Sequence, residues 1–179
     1  MARIEYADLD SLDPDSRAFI DRLAPLNIFK MMAHSPGVLK PFTSLGTAFL
    51  FNGTLDPVTR ECAILRVGYL SGATYETAQH ERIGLDLDMD SALFDALRTG
   101  PDHPGLSDEQ RLAVALTDDV VKNVRASDAT FDPVLAHFGP GGAQELVLVI
   151  GYYMMVSRFL ETFDVDIEDG GALGLKVTG

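Results

Sequence analysis

The sequence has one cysteine, Cys62, in 179 residues. That excludes an intramolecular disulfide, a Cys-x-x-Cys redox pair and a cysteine-rich zinc site, and it fits a reducing cytoplasm. Positive charge is scarce: 14 Lys and Arg stand against 27 Asp and Glu, a formal net charge of −13. No basic stripe with interleaved aromatics occurs. Phosphate backbones and anionic membranes are repelled, so neither nucleic acid nor a membrane is an expected partner. Long apolar runs are missing too. The longest, LVLVIGYYMMV from Leu146 to Val156, falls well short of the roughly 20 residues that span a bilayer, and it reads as a helix buried on most sides. The first ten residues, MARIEYADLD, hold no apolar segment of the signal-peptide kind.

What is present is helical. Hydrophobic residues make up 46% of the chain, enough for a sizeable core in a single domain spanning 1–179. The spacing predicts helices beginning at the Asp13-Pro14 pair, at Ser35-Pro36 and at Asp56-Pro57, each a cap candidate followed by proline at the first helical position. In the third, Val58, Cys62, Leu65 and Tyr69 share one apolar face. Ser71-Gly72 closes it, and another helix follows from Ala73 to about Gly84. A short one covers Ser91 to Arg98, and residues 99–105 form a loop. Ser107 and Gln110 have capping-box spacing, and Leu112, Leu116, Val120 and Val124 make a stripe behind them. A helix near Asp128 is interrupted by Pro133, and GPGG at 139–142 breaks the chain before a last helix to Phe163. No strand-type alternation competes, so the expected fold is all-α, a bundle of about seven to nine helices. The acidic, then Gly-rich, tail after Ile167 is expected to be loosely held.

The stretch GATYETAQH, residues 72–80, carries the chemistry. Glu76 and His80 are four apart and share a helix face, with roughly 5–6 Å between Cβ atoms. Glu61 lies on the preceding helix among Val58, Ile64, Leu65 and Gly68, company that desolvates a carboxyl group and favours its neutral form. The short Ser-Gly turn predicts an antiparallel pair in which Glu61 and His80 lie at similar heights. Two carboxyl groups and an imidazole converging on one pocket suit proton transfer. On spacing alone, an ordinary surface Glu-His pair is the commoner explanation. The same three side chains form a weaker metal-ligand set, because two histidines on one helix are absent. Cys62 sits on the apolar stripe and reads as a small hydrophobe. His34, His103 and His137 read as structural or solvated. A short echo between RECAILRVGYL and QELVLVIGYYM suggests related positions for Glu61 and Glu145.

The run RECAILRVGYLSGATYETAQHERIGL resembles the central motif of the carboxymuconolactone decarboxylase family, in its alkylhydroperoxidase-D-like branch. HSPGVLKPFTSLGTAFLFNGTLDPVTRE is similar to that family's run-in, and ELVLVIGYYMMVSRFLETF to its last helix. The resemblance therefore covers residues 27 to 168. It implies an alkylhydroperoxidase-D-like helical fold and a homo-oligomer: dimer, trimer or hexamer. It matches Glu61 and His80 to a glutamate and a histidine that flank the Cys-x-x-Cys of the peroxidase members, whose two cysteines fall here on Ala73 and Glu76. The second relay histidine of those members falls on Tyr75. Thiol peroxidase chemistry needs an attacking and a resolving thiol, and both are missing.

The expectation is thus a cofactor-free, metal-free enzyme acting on a small organic acid or lactone by decarboxylation, isomerisation or elimination next to a carbonyl. Its expected catalytic residues are His80, Glu61, Glu76 and Tyr75. The alternatives are a thiol-dependent antioxidant using Cys62 and a non-catalytic helical oligomer.

Overall fold

The computed structural model describes residues 1–172, which hold eight α-helices, a short 3-10 turn and no strand. The helices are α1 (Pro14–Ile20), α2 (Asn27–Met32), α3 (Pro36–Phe51), α4 (Pro57–Ser71), α5 (Thr74–Asp86), α6 (Ser91–Thr99), α7 (Asp108–Asn123) and α8 (Asp128–Phe163). The fold is all-α, as the periodicity requires. Helix α2 goes beyond it: six residues long, with no side-chain cap, it leaves no local signal.

Helix α4 is the axis of the molecule. It packs against α5, α6, α7 and α8, and every residue from Thr59 to Gly68 is buried. One-sided periodicity is weak in such a helix because no face meets water. Its start follows from local chemistry: the Asp56 carboxylate accepts from Thr59 N at 2.9 Å, with Pro57 in the first turn. Its end follows from Gly72, which takes the left-handed conformation at φ +64°. Helix α5 starts two residues later and returns along α4.

Helix α8 contains the expected break at GPGG. It spans 36 residues, with Gly139 alone leaving helical geometry at φ +66° and ψ 178°. Glycine adopts that conformation without steric cost, so two helical runs meet there at a kink. By length and composition α8 could cross a membrane, but 44% of its most apolar stretch is buried inside this fold. Its inner face packs on α4 and α7.

The core divides in two. A large cluster joins α2, α3, α4, α7 and α8 through Met31, Leu39, Ile64, Leu116, Leu146 and Ile150. A smaller one places Cys62 and Leu65 of α4 against Met89, Phe94, Leu97 and Val114. The stripe of Val58, Cys62, Leu65 and Tyr69 faces this second cluster, which leaves the opposite side of α4 to carry Glu61.

After Phe163 the chain turns back across α2 and α5. Glu168, expected in a loose tail, is 8% exposed and accepts from Asn27 N at 2.7 Å. Residues 173–179 of that expected tail lie outside the described residues.

Candidate active site

The α4–α5 hairpin builds the site. The two helices approach closely at Gly68, where a Cβ would lie 2.8 Å from Thr77 Cγ2. At that separation Glu61 reaches across to α5. His80 Nδ1 lies 2.6 Å from Glu61 Oε2, and His80 Nε2 lies 3.1 Å from Glu76 Oε1. The first is a hydrogen bond. The second is an ion-pair contact whose angle falls short of one, so Glu76 Oε1 has no hydrogen-bond partner. Glu61 is wholly buried, and Glu76 and His80 are nearly so.

These contacts determine charge. Burial works against a protonated imidazole, but Glu61 and Glu76 outweigh it, holding the His80 pKa up at about 10. At neutral pH His80 is therefore an imidazolium between two carboxylates. Arg60, 3% exposed, supplies a second buried cation, with Nε 3.5 Å from Glu61 Oε1. Its Nη1 donates to Phe49 O at 3.4 Å, while Nε and Nη2 make no hydrogen bond.

Glu76 and His80 open onto a cavity of about 220 Å3 between α2, α3, α5 and α8. Its walls are mostly apolar, including Leu26, Ile28, Phe42, Leu50 and Val156, and Arg22 lies at its exposed rim. Glu61 stands behind His80 and does not line the cavity. Tyr153 of α8 packs edge-on against His80, with ring centroids 4.9 Å apart and planes at 87°. Burial, then Glu76 and Glu61, raise its phenol pKa well above the usual value.

The structure thus brings together Glu61, Glu76 and His80. Tyr75 lines the same cavity, but its hydroxyl is committed elsewhere. It donates to Glu168 Oε1 at 2.5 Å, and Gln79 Nε2 donates to Glu168 Oε2 at 2.5 Å. Burial and the Glu168 contact raise the Tyr75 phenol pKa well above its usual value. Glu145 plays no part comparable to Glu61: its carboxylate accepts from Thr54 N at 2.8 Å and Thr54 Oγ1 at 2.8 Å, fixing the turn before α4.

As a metal site the cluster fits poorly. Glu61 and Glu76 occupy opposite nitrogens of one ring, so the three donors do not point at a common ion. No group of three His, Cys, Asp or Glu among the described residues has a metal-binding arrangement. His34 Nε2 lies 2.9 Å from Glu5 O, His103 Nδ1 accepts from Gly105 N, and His137 lies near Glu109 at the surface.

Cys62 is fully buried, and burial followed by Glu61 pushes its thiol pKa up to about 12. It lies in the smaller core cluster and does not line the cavity. Sequence reasoning missed Arg60, Tyr153 and Glu168. Arg60 adjoins Glu61 in the chain. The other two come from α8 and the segment after it, where nothing local marks them.

No protein-family model matches the sequence, and no curated protein matches it. Solved structures do. The chain superposes on the alkylhydroperoxidase AhpD core of an uncharacterized peroxidase-related protein from Ralstonia eutropha, with a TM-score of 0.81 at 20% identity over 94% of this chain and 93% of that one. An uncharacterized peroxidase-related protein from Silicibacter gives 0.77 at 17% identity, over 93% and 94%. A protein of unknown function from Agrobacterium tumefaciens gives 0.70 at 15%, over 77% and 95%. At these identities the likeness carries the fold alone, and that fold is alkylhydroperoxidase-D-like.

Proposed function

We propose that this chain is a proton-transfer enzyme of the carboxymuconolactone decarboxylase type, working without a metal or cofactor on a small organic acid or lactone. The observation that carries the reading is His80, held between Glu61 and Glu76 at the wall of an apolar cavity. A surface Glu-His pair would have neither the burial nor the cavity. A structural salt bridge in a non-catalytic oligomer would have no adjoining space.

The roles follow from position. Glu76 faces the cavity, and its Oε1 makes no hydrogen bond beyond the ion-pair contact with His80, so it is the base that takes a proton from carbon next to a carbonyl. The electron pair left behind moves to the carbonyl oxygen. His80, protonated beside Glu76, offsets the charge and supplies a proton from Nε2 where the reaction needs one. In decarboxylation the bond to the leaving carboxylate breaks first, and that proton quenches the resulting carbanion. Glu61 holds Nδ1 and keeps the ring in register.

The peroxidase-related neighbours suggest a thiol reading, but this chain's residues support it poorly. Ala73 and Glu76 stand where such chemistry needs thiols, and a buried thiol with a raised pKa is a weak nucleophile. The two readings separate in one experiment. The protein is incubated in D2O with a panel of small keto acids and lactones, and deuterium at the α-carbon and loss of CO2 are followed. Parallel samples receive peroxide and dithiothreitol. Turnover of a panel member that His80→Ala lowers by about 10²–10⁴-fold supports proton transfer. Peroxide consumption that Cys62→Ser stops, with no panel turnover, replaces it by the thiol reading.

A further inference from the structure

The cavity's unsatisfied groups identify its ligand. Most buried polar side chains on its wall are engaged. Tyr75 and Gln79 donate to Glu168, Tyr152 donates to Phe42 O, Thr43 donates to Leu39 O, and His80 meets a carboxylate at each nitrogen. Two groups are left over. Glu76 Oε1 is a buried acceptor whose one polar contact is the ion pair with His80 Nε2, and it makes no hydrogen bond. Tyr153, 4% exposed as a residue, lines the same cavity, and its hydroxyl makes no hydrogen bond to a described residue. Buried polar groups in native proteins are paired, by protein, water or ligand, and exceptions call for a reason.

One spare acceptor and one spare donor in an apolar chamber fit a molecule presenting an acidic hydrogen and a carbonyl oxygen. We propose that the cavity binds an enolisable ketone or aldehyde group on an apolar body, and that Tyr153 is a catalytic residue holding its carbonyl oxygen while Glu76 faces its α-hydrogen. This rests on the proton-transfer reading above and narrows it. The α C–H bond breaks and its proton forms an O–H bond on Glu76. The C–H electron pair becomes the C=C bond, and the carbonyl π pair moves onto oxygen, where the Tyr153 hydroxyl donates to it. Returning the proton to the same carbon, or to a conjugated one, restores a carbonyl, and no oxidant or reductant is consumed.

Electrostatics favours this arrangement. Glu76 loses its negative charge as the enolate oxygen gains one, so the net charge of the buried site does not change. The raised pKa of Tyr153 keeps its O–H intact as a hydrogen-bond donor at neutral pH. A carboxylate placed deep in the cavity would meet Glu76, whereas at the rim it would meet Arg22. An acid substrate therefore enters carbonyl first.

The test uses β-tetralone, an apolar enolisable ketone, and β-naphthol, its flat enol-like analogue. α-Deuteration of β-tetralone in D2O is followed by proton NMR, and β-naphthol binding by fluorescence. The wild type should exchange above buffer and bind β-naphthol. Tyr153→Phe should lower kcat by about 10²–10³-fold with little change in KM, as loss of an oxyanion donor does, and weaken β-naphthol binding. The substitution removes a hydroxyl with no protein partner, so the thermal melt should be unchanged. Exchange by Tyr153→Phe at the wild-type rate overturns the role of Tyr153. A wild type that neither exchanges β-tetralone nor binds β-naphthol overturns the ligand class. If acids or lactones are then turned over in a Glu76-dependent way, proton transfer stands without this inference. If Glu76→Gln matches the wild type on every compound, the proton-transfer reading fails as well.

Discussion

At the scale of single residues, Cys62 and His80 pull the functional readings apart. Cys62 touches apolar side chains and has no second thiol in the chain. Cys62→Ser should leave activity nearly intact and cost of order 1–2 kcal/mol for burying a hydroxyl, read as a shift in the urea midpoint. His80→Ala should remove activity in the same assay. The His80 pKa also sets how stability depends on pH. It rises from 6.5 to about 10 on folding, so the folded state binds the proton more tightly. The stabilisation from this group is complete below about pH 6.5 and is lost as pH climbs through about 10. Urea unfolding at pH 6, 8 and 10 should show falling stability over that window, and His80→Gln should flatten it. A profile that rises from pH 6.5 to 10 and is unaltered by the substitution would contradict the imidazolium assignment.

At the scale of elements, the site depends on how closely α4 and α5 pack. Gly68 sits where they meet, and a methyl group there would press on Thr77 Cγ2 at 2.8 Å. Gly68→Ala should push α5 outward, costing about 1–3 kcal/mol through overpacking and lengthening the Glu61–His80 contact. Loss of the downfield His80 ring N–H signal in NMR would report the second effect. This hairpin is also why the meeting of Glu61, Glu76 and His80 was legible in sequence. Glu76 and His80 are one helical turn apart, and a two-residue turn brings Glu61 back beside them, so local rules suffice. The caps of α4 and α7 were legible for the same reason, with Ser107 and Gln110 forming the capping box their spacing predicts. Tyr153 and Glu168 escaped because tertiary packing alone brings them to α5. Glu168 meets Tyr75 across 93 residues of chain, and its acidic, Gly-rich surroundings resemble a solvated tail. The GPGG break was legible as well, because Gly139 leaves helical geometry there and a second helical run follows.

At the scale of the whole molecule, the two ends of the described chain are tied together and then to the cavity wall. Arg3 N donates to Phe163 O at 2.9 Å, Asp166 N donates to Tyr6 Oη at 3.0 Å, and Glu168 accepts from Asn27, Tyr75 and Gln79. Glu168→Ala removes an acceptor shared by three donors and should cost about 2–4 kcal/mol, measured calorimetrically as a lower Tm. The outer surface bears on assembly. Helix α8 exposes Val147, Leu148 and Met155, and α3, which packs on it, exposes Val38, Leu45 and Phe51. On α8 these positions recur at helical spacing and flank the exposed Gly151, where a second backbone can come close. Apolar side chains concentrated on neighbouring helices mark contact surfaces more often than solvated ones, and self-association most often closes as a symmetric dimer or a higher ring. We therefore expect a homo-oligomer, with a scattering mass that is a multiple of 19.4 kDa. The double substitution Leu148→Glu and Met155→Glu places two carboxylates in that contact, where neither finds a partner, and should yield folded monomers with an unchanged helical spectrum. Both side chains are half exposed in the isolated chain, so the fold itself should tolerate them. A wild type that scatters as a monomer at micromolar concentration would refute the oligomer. An oligomer indifferent to the two glutamates would move the interface to another face.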